Sequence, residues 1–155
     1  MHSVKALFTN YPLMCAVAGW FVAQICKVFT GMFRERSFDV ITVLFGTGGM
    51  PSSHSAAVCA LAVAAGIAYG LDSFAFAISA VLAFIVMRDA SGVRRSAGEQ
   101  AKIINRMIKT LSQGGTIDFN SDIKEIIGHT PLQVFVGAVI GAVIPFLMML
   151  IMPVR

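Results

Sequence analysis

Charge is scarce in this sequence. Lys, Arg, Asp and Glu supply only 13% of its 155 residues, while apolar side chains supply 57%. Average globular chains run at about 25% charged and roughly 45–50% apolar. A soluble domain of this size could not hide that much apolar surface, so the shortage points to a membrane. Cysteine is sparse too. Cys15, Cys26 and Cys59 lack metal-ligand spacing and lie in apolar stretches, as small buried side chains do. Near the N-terminus no A-x-A-like cleavage site follows an apolar run, so the first apolar stretch is read as a retained helix.

Long uncharged runs take the place of charge. Residues 53–69, 73–87 and 132–152 contain no Lys, Arg, Asp or Glu, and 12–29 contains only Lys27 near its inner end. A helix crossing a bilayer needs about 20 apolar residues, and a lysine near its end can snorkel to the interface. The pattern predicts an all-α, polytopic membrane helix bundle forming one domain over 1–155. Its spans are expected over about 12–29, 53–70, 73–89 and 132–152.

The connection at 70–72 is too short for anything but a tight helical hairpin. The other two connections then share one side of the membrane. That side holds ten of the twelve basic residues, leaving Lys5 and Arg155 opposite. The positive-inside rule makes it cytoplasmic, with both termini outside, as expected in a bacterial inner membrane. Within the connection over about 90–130, Ser96-Ala-Gly-Glu99 resembles a capping box that could start a helix. Ile104, Met107, Ile108 and Leu111 then recur at helical spacing, with Lys102, Arg106 and Lys109 on another face. Such a helix suits either the headgroup layer or a solvated surface on the protein itself. Gly137 and Gly141 share one face of the last span, which allows close helix packing within the chain or between copies.

The chemically capable side chains gather on the basic side. Gly48-Gly-Met-Pro-Ser-Ser-His-Ser55 leads into the second span, with Pro51 presetting the first turn and Ser52 or Ser53 as N-cap. His54 then falls in the first helical turn, where unpaired N–H groups and the helix dipole favour an anion. The last span begins similarly, with His129, then Thr130 as N-cap and Pro131 at the first helical position. Lys27 and Arg34 are seven residues apart, so a continuous helix presents both on one face, suited to a phosphate.

In order, Lys27-x6-Arg34, Pro51-Ser-Ser-His54 and Gly128-His129-Thr-Pro-Leu-Gln133 resemble the three signature motifs of the type 2 phosphatidic acid phosphatases. Those motifs are K-x6-R-P, P-S-G-H and S-R-x5-H-x3-D. Residues 48–56, 89–101 and 128–141 are still more similar to the divergent PAP2 branch, and the resemblance covers almost the whole chain. It implies hydrolysis of a lipid phosphate, or of a polyprenyl phosphate or pyrophosphate, with no cofactor and no metal. On that pattern His129 attacks phosphorus to form a phosphohistidine and His54 protonates the leaving oxygen. Lys27, Arg34 and the N–H groups around Ser52 and Ser53 hold the phosphate oxygens.

Three positions depart from the pattern. Glu35 replaces the proline, Ile123 the third-motif arginine, and Gln133 the aspartate that orients the attacking histidine. Arg94 or Arg95 (or Arg88) could supply the missing cation, and Asp89 the missing carboxylate. A glutamine carbonyl accepts the imidazole N–H but cannot offset a developing imidazolium charge. The alternative reading is a protein that binds or transports a lipid phosphate without cleaving it. Expected partners are the lipid phosphate and membrane lipids, not nucleic acid, with a homo-oligomer left open.

Overall fold

The computed structural model describes residues 2–34, 49–113 and 128–154. They form six helices and, among the described residues, no strand: α1 His2–Phe8, α2 Tyr11–Arg34, α3 Ser53–Tyr69, α4 Phe74–Ser91, α5 Val93–Gln113 and α6 Pro131–Met148. α2, α4 and α6 are long and apolar enough to cross a membrane, and α3 is a shorter apolar helix of 17 residues. At about 1.5 Å per residue α3 reaches roughly 26 Å, slightly short of a hydrocarbon core of about 30 Å.

The bundle is small inside and large outside. Tyr11, Cys15, Gly19, Ala23 and Lys27 form a buried stripe along α2 at four-residue spacing. Ala56, Ala60 and Ala64 do the same on α3, and Gly137, Gly141 and Pro145 on α6. Phe21, Ile25 and Phe29 of α2, Phe84 and Ile85 of α4, and Phe135 and Phe146 of α6 are exposed instead. In lipid there is no apolar surface to hide, so helices associate where small residues let their backbones approach. A Cβ on Gly19 would stand 3.0 Å from the Ala56 carbonyl oxygen. One on Gly141 would fall onto that same oxygen, and one on Gly137 onto the Ser52 oxygen. The glycine pair thus packs within the chain against α3, and α2, α3 and α6 all contact one another.

Helix directions follow from the contacts at each end. The Tyr11 hydroxyl donates to the Pro145 carbonyl at 2.6 Å, joining the start of α2 to the end of α6. At the other end the Ser52 N–H donates to the Gln133 carbonyl at 3.0 Å, so α3 and α6 begin side by side. α3 and α6 are therefore parallel, and α2 runs against both. The hairpin at 70–72 forms as expected. Gly70 closes α3 at φ +90°, and the Ser73 hydroxyl caps α4 by accepting the Phe76 N–H at 3.1 Å.

Several boundaries differ from expectation. α1 has no counterpart in the expected spans, being too short and insufficiently apolar to register as one. α5 begins at Val93, not at a capping box on Ser96, because the ladder barely breaks after α4. Gly92 departs from helical geometry at φ −109°, ψ −83°, yet its N–H still bonds the Arg88 carbonyl at 2.9 Å. Ser96, already inside the helix, bonds the Gly92 carbonyl. Pro51 precedes the N-cap of α3 instead of occupying its first turn. α6 ends at Met148, where Met149 to Ile151 turn. Gly48, Glu35, Ile123, Lys124 and the glycines at 114 and 115 lie outside the described residues.

Candidate functional site

The site begins with two helix N-termini held together. Ser52 caps α3, accepting the Ser55 N–H at 3.4 Å and the Ser55 hydroxyl at 3.0 Å through its Oγ. Thr130 caps α6 by accepting the Gln133 N–H, while Gln133 Oε1 accepts the Thr130 N–H at 2.9 Å. This is a reciprocal capping box, and Thr130-x-x-Gln133 is its sequence signature. The Ser52–Gln133 backbone bond ties one cap to the other. The caps take up the Ser55, Thr130 and Gln133 N–H groups and the Ser52 N–H goes to Gln133, yet the two positive dipole ends still point the same way.

Lys27 closes one side. It lies on the last buried turn of α2 with 5% exposure, and its aliphatic stem runs along Gly49. A Cβ on Gly49 would come within 3.3 Å of the lysine Cγ, and the glycine's φ of +84° is one that residues with a side chain rarely adopt. The Thr30 hydroxyl, one turn further along α2, donates to the Met50 carbonyl. Together they fasten the loop before α3 against α2. A buried ammonium is costly unless an anion or dipole compensates it, and this one is packed against the loop that leads into the α3 N-terminus.

The histidines take different positions. His129 is buried at 8% exposure, its Nδ1 3.4 Å from Gln133 Oε1. His54 is exposed in the first turn of α3. Ser52 and Ser53 are buried. The structure therefore links Lys27, through Gly49, to the loop that ends in Ser52 and Ser53, and joins Ser52 to Gln133 beside His129. Asp89 is half-buried near the end of α4, a helix packed on α3. Arg95 is exposed on α5, which touches only α4 among the described helices, so it is not packed against α2, α3 or α6. Arg34 and Arg94 lie on α2 and α5, but their side chains are outside the described set.

Sequence reasoning missed Thr30 and the second role of Gln133. No local pattern marks Thr30, whose partner is 20 residues away. Gln133 did carry a signal, three positions after a Thr at a helix start, but the resemblance directed it to the histidine alone.

A bundle with small residues at its helix contacts, large apolar residues outside and polar chemistry confined to one end is an integral membrane protein. The chain matches the Divergent PAP2 family over residues 8–144, and it belongs to that family. It is 41% identical over 145 residues to the uncharacterized membrane protein YuiD of Bacillus subtilis (strain 168), covering 87% of this chain and 91% of that one. No solved structure matches it.

Proposed function

We infer that this chain is a lipid-phosphate phosphatase working through a phosphohistidine. The observation that carries this reading is the pairing of the α3 and α6 N-termini beside a buried Lys27, with a histidine at each terminus. A phosphate needs dispersed positive charge from several directions, and helix N-termini with a lysine supply it. Gln133 Oε1 can only accept, so the imidazole facing it carries its proton on Nδ1. That leaves the Nε2 lone pair of His129 for attack on phosphorus. The P–O bond to the lipid breaks as the N–P bond forms, and His54, in its acid form, gives the departing oxygen a proton. Water, deprotonated by the now neutral His54, then attacks the phosphohistidine and releases phosphate and His129. Lys27, Arg34 and the N–H groups around Ser53 steady the oxygens throughout, whereas the Ser52 N–H, expected from the sequence to help, is spent on the Gln133 carbonyl. Arg94 and Arg95 are the remaining cations of this reading, and Asp89 the alternative carboxylate.

The site lies at the basic end of the bundle, which we place on the cytoplasmic face of a bacterial inner membrane with both termini outside. A phosphate there belongs to a lipid or polyprenyl headgroup. The test is phosphate release by the purified protein in detergent from a panel of lipid phosphates, with and without EDTA. Release from at least one lipid, unaffected by EDTA, supports the reading; no release from any contradicts it.

One observation favours a second reading. Gln133 is a neutral amide already engaged as a helix cap, and it offers no charge to stabilise an imidazolium. The same pocket would then be a headgroup clamp, binding lipid phosphates without turnover.

A further inference from the structure

α5 has three faces, and each has different company. Gly98, Ala101 and Asn105 are buried. Arg95, Lys102, Arg106 and Lys109 share a second face, where Arg95, Arg106 and Lys109 are exposed and Lys102, half-buried, pairs with Glu99 at 3.7 Å. On the third, Val93, Ile103, Ile104 and Met107 are 68%, 54%, 43% and 59% exposed. A helix in water does not keep so many large apolar side chains uncovered on one side.

Two observations identify what covers them. α5 continues from α4, a membrane-crossing helix, with backbone bonds spanning Gly92, so its first turns start at the membrane border. Its sequence also holds five basic residues and one acidic one, a surplus of four. The formal net charge of the whole chain is +4. The excess positive charge of the protein thus equals that of one amphipathic helix adjoining the bilayer. We propose that α5 lies along the anionic surface of the bilayer that α4 crosses. Val93, Ile103, Ile104 and Met107 enter the acyl boundary, and Lys102, Arg106 and Lys109 sit among anionic headgroups. The turn from crossing to lying flat falls at Gly92, where φ −109° and ψ −83° leave the helical range. This does not depend on whether the site cleaves phosphate.

The full chain, placed in nanodiscs of phosphatidylcholine alone or with phosphatidylglycerol, tests this by hydrogen exchange. Amides of 93–113 should exchange more slowly with the anionic lipid, while those of α3 stay unchanged. The K102Q/R106Q/K109Q variant should lose that difference and keep its helical circular dichroism. A second measurement uses nitroxides at residues 104 and 109 in a variant with Ala for Cys15, Cys26 and Cys59. Residue 104 should be open to oxygen and shielded from a water-soluble nickel relaxer, and 109 the reverse. Equal nickel access at both would put α5 in water and overturn the proposal. Shielding of 104 from both relaxers would also overturn it, by showing protein, such as a second copy, on that face. Equal exchange in the two lipids would remove the anionic surface as the occupant.

Discussion

His129 Nδ1 and Gln133 Oε1 lie 3.4 Å apart, and the same oxygen accepts the Thr130 N–H at 2.9 Å. One amide oxygen therefore both caps α6 and faces the histidine proposed to attack. Two donors sharing one acceptor explain the longer of the two contacts. They also make the rotamer of Gln133 a product of the helix start, so the histidine is oriented by secondary structure.

Gln133→Asp should raise the hydrolytic rate, because a carboxylate stabilises the imidazolium that an amide cannot. An amide in place of an orienting aspartate costs about 10⁴-fold in a serine protease, so a gain of about 10-fold or more in kcat is expected. Gln133→Leu should lose both the cap and the orientation. No gain from the aspartate would direct attention to Asp89.

Lys27→Met separates binding from stability. In detergent without added lipid phosphate, removing the buried ammonium should leave the melting temperature unchanged or higher. Affinity for a lipid phosphate, measured by titration calorimetry, should fall by about 1–3 kcal/mol, the scale of a charge-assisted hydrogen bond. Unchanged affinity would leave Lys27 as a border residue only.

Gly141→Ala should act on the site from a distance. The added methyl meets the Ala56 carbonyl on α3, and neither backbone can yield without parting the two N-termini. Overpacking of this kind costs about 1–3 kcal/mol. The melting temperature and lipid-phosphate binding should both drop, whereas Val143→Ala, on the outer face of α6, should change neither. Normal binding in the glycine variant would show that the helix contact does not shape the site.

Caps, hairpin and glycine face were legible in the sequence because each depends on neighbours within one or two turns. Ser52 and Thr130 cap helices, and Gly137 with Gly141 packs one. Ser96 misled for the same reason: its capping pattern is local, but the continuing ladder through Gly92 outweighed it. The candidate site was legible as residue types on one side of a membrane. Its assembly was not, since the Lys27–Gly49, Thr30–Met50 and Ser52–Gln133 contacts join segments far apart in the chain. No periodicity encodes such meetings.

The orientation is checked by thiol labelling in a cysteine-free background. Lys109→Cys should resist an impermeant maleimide in intact cells and react after permeabilisation, while Leu7→Cys should react in intact cells. The reverse pattern would turn the basic end outward.

The most direct measurement is a search for phosphate on His129 itself. With His54→Asn and a phosphoester whose leaving group needs no proton, the first step survives and water attack on the phosphohistidine slows. Mass spectrometry of the alkali-quenched protein should find phosphate on His129, absent in the variant that also carries His129→Ala. Phosphate released at the wild-type rate with none ever on His129, or found on another residue, would contradict the mechanism.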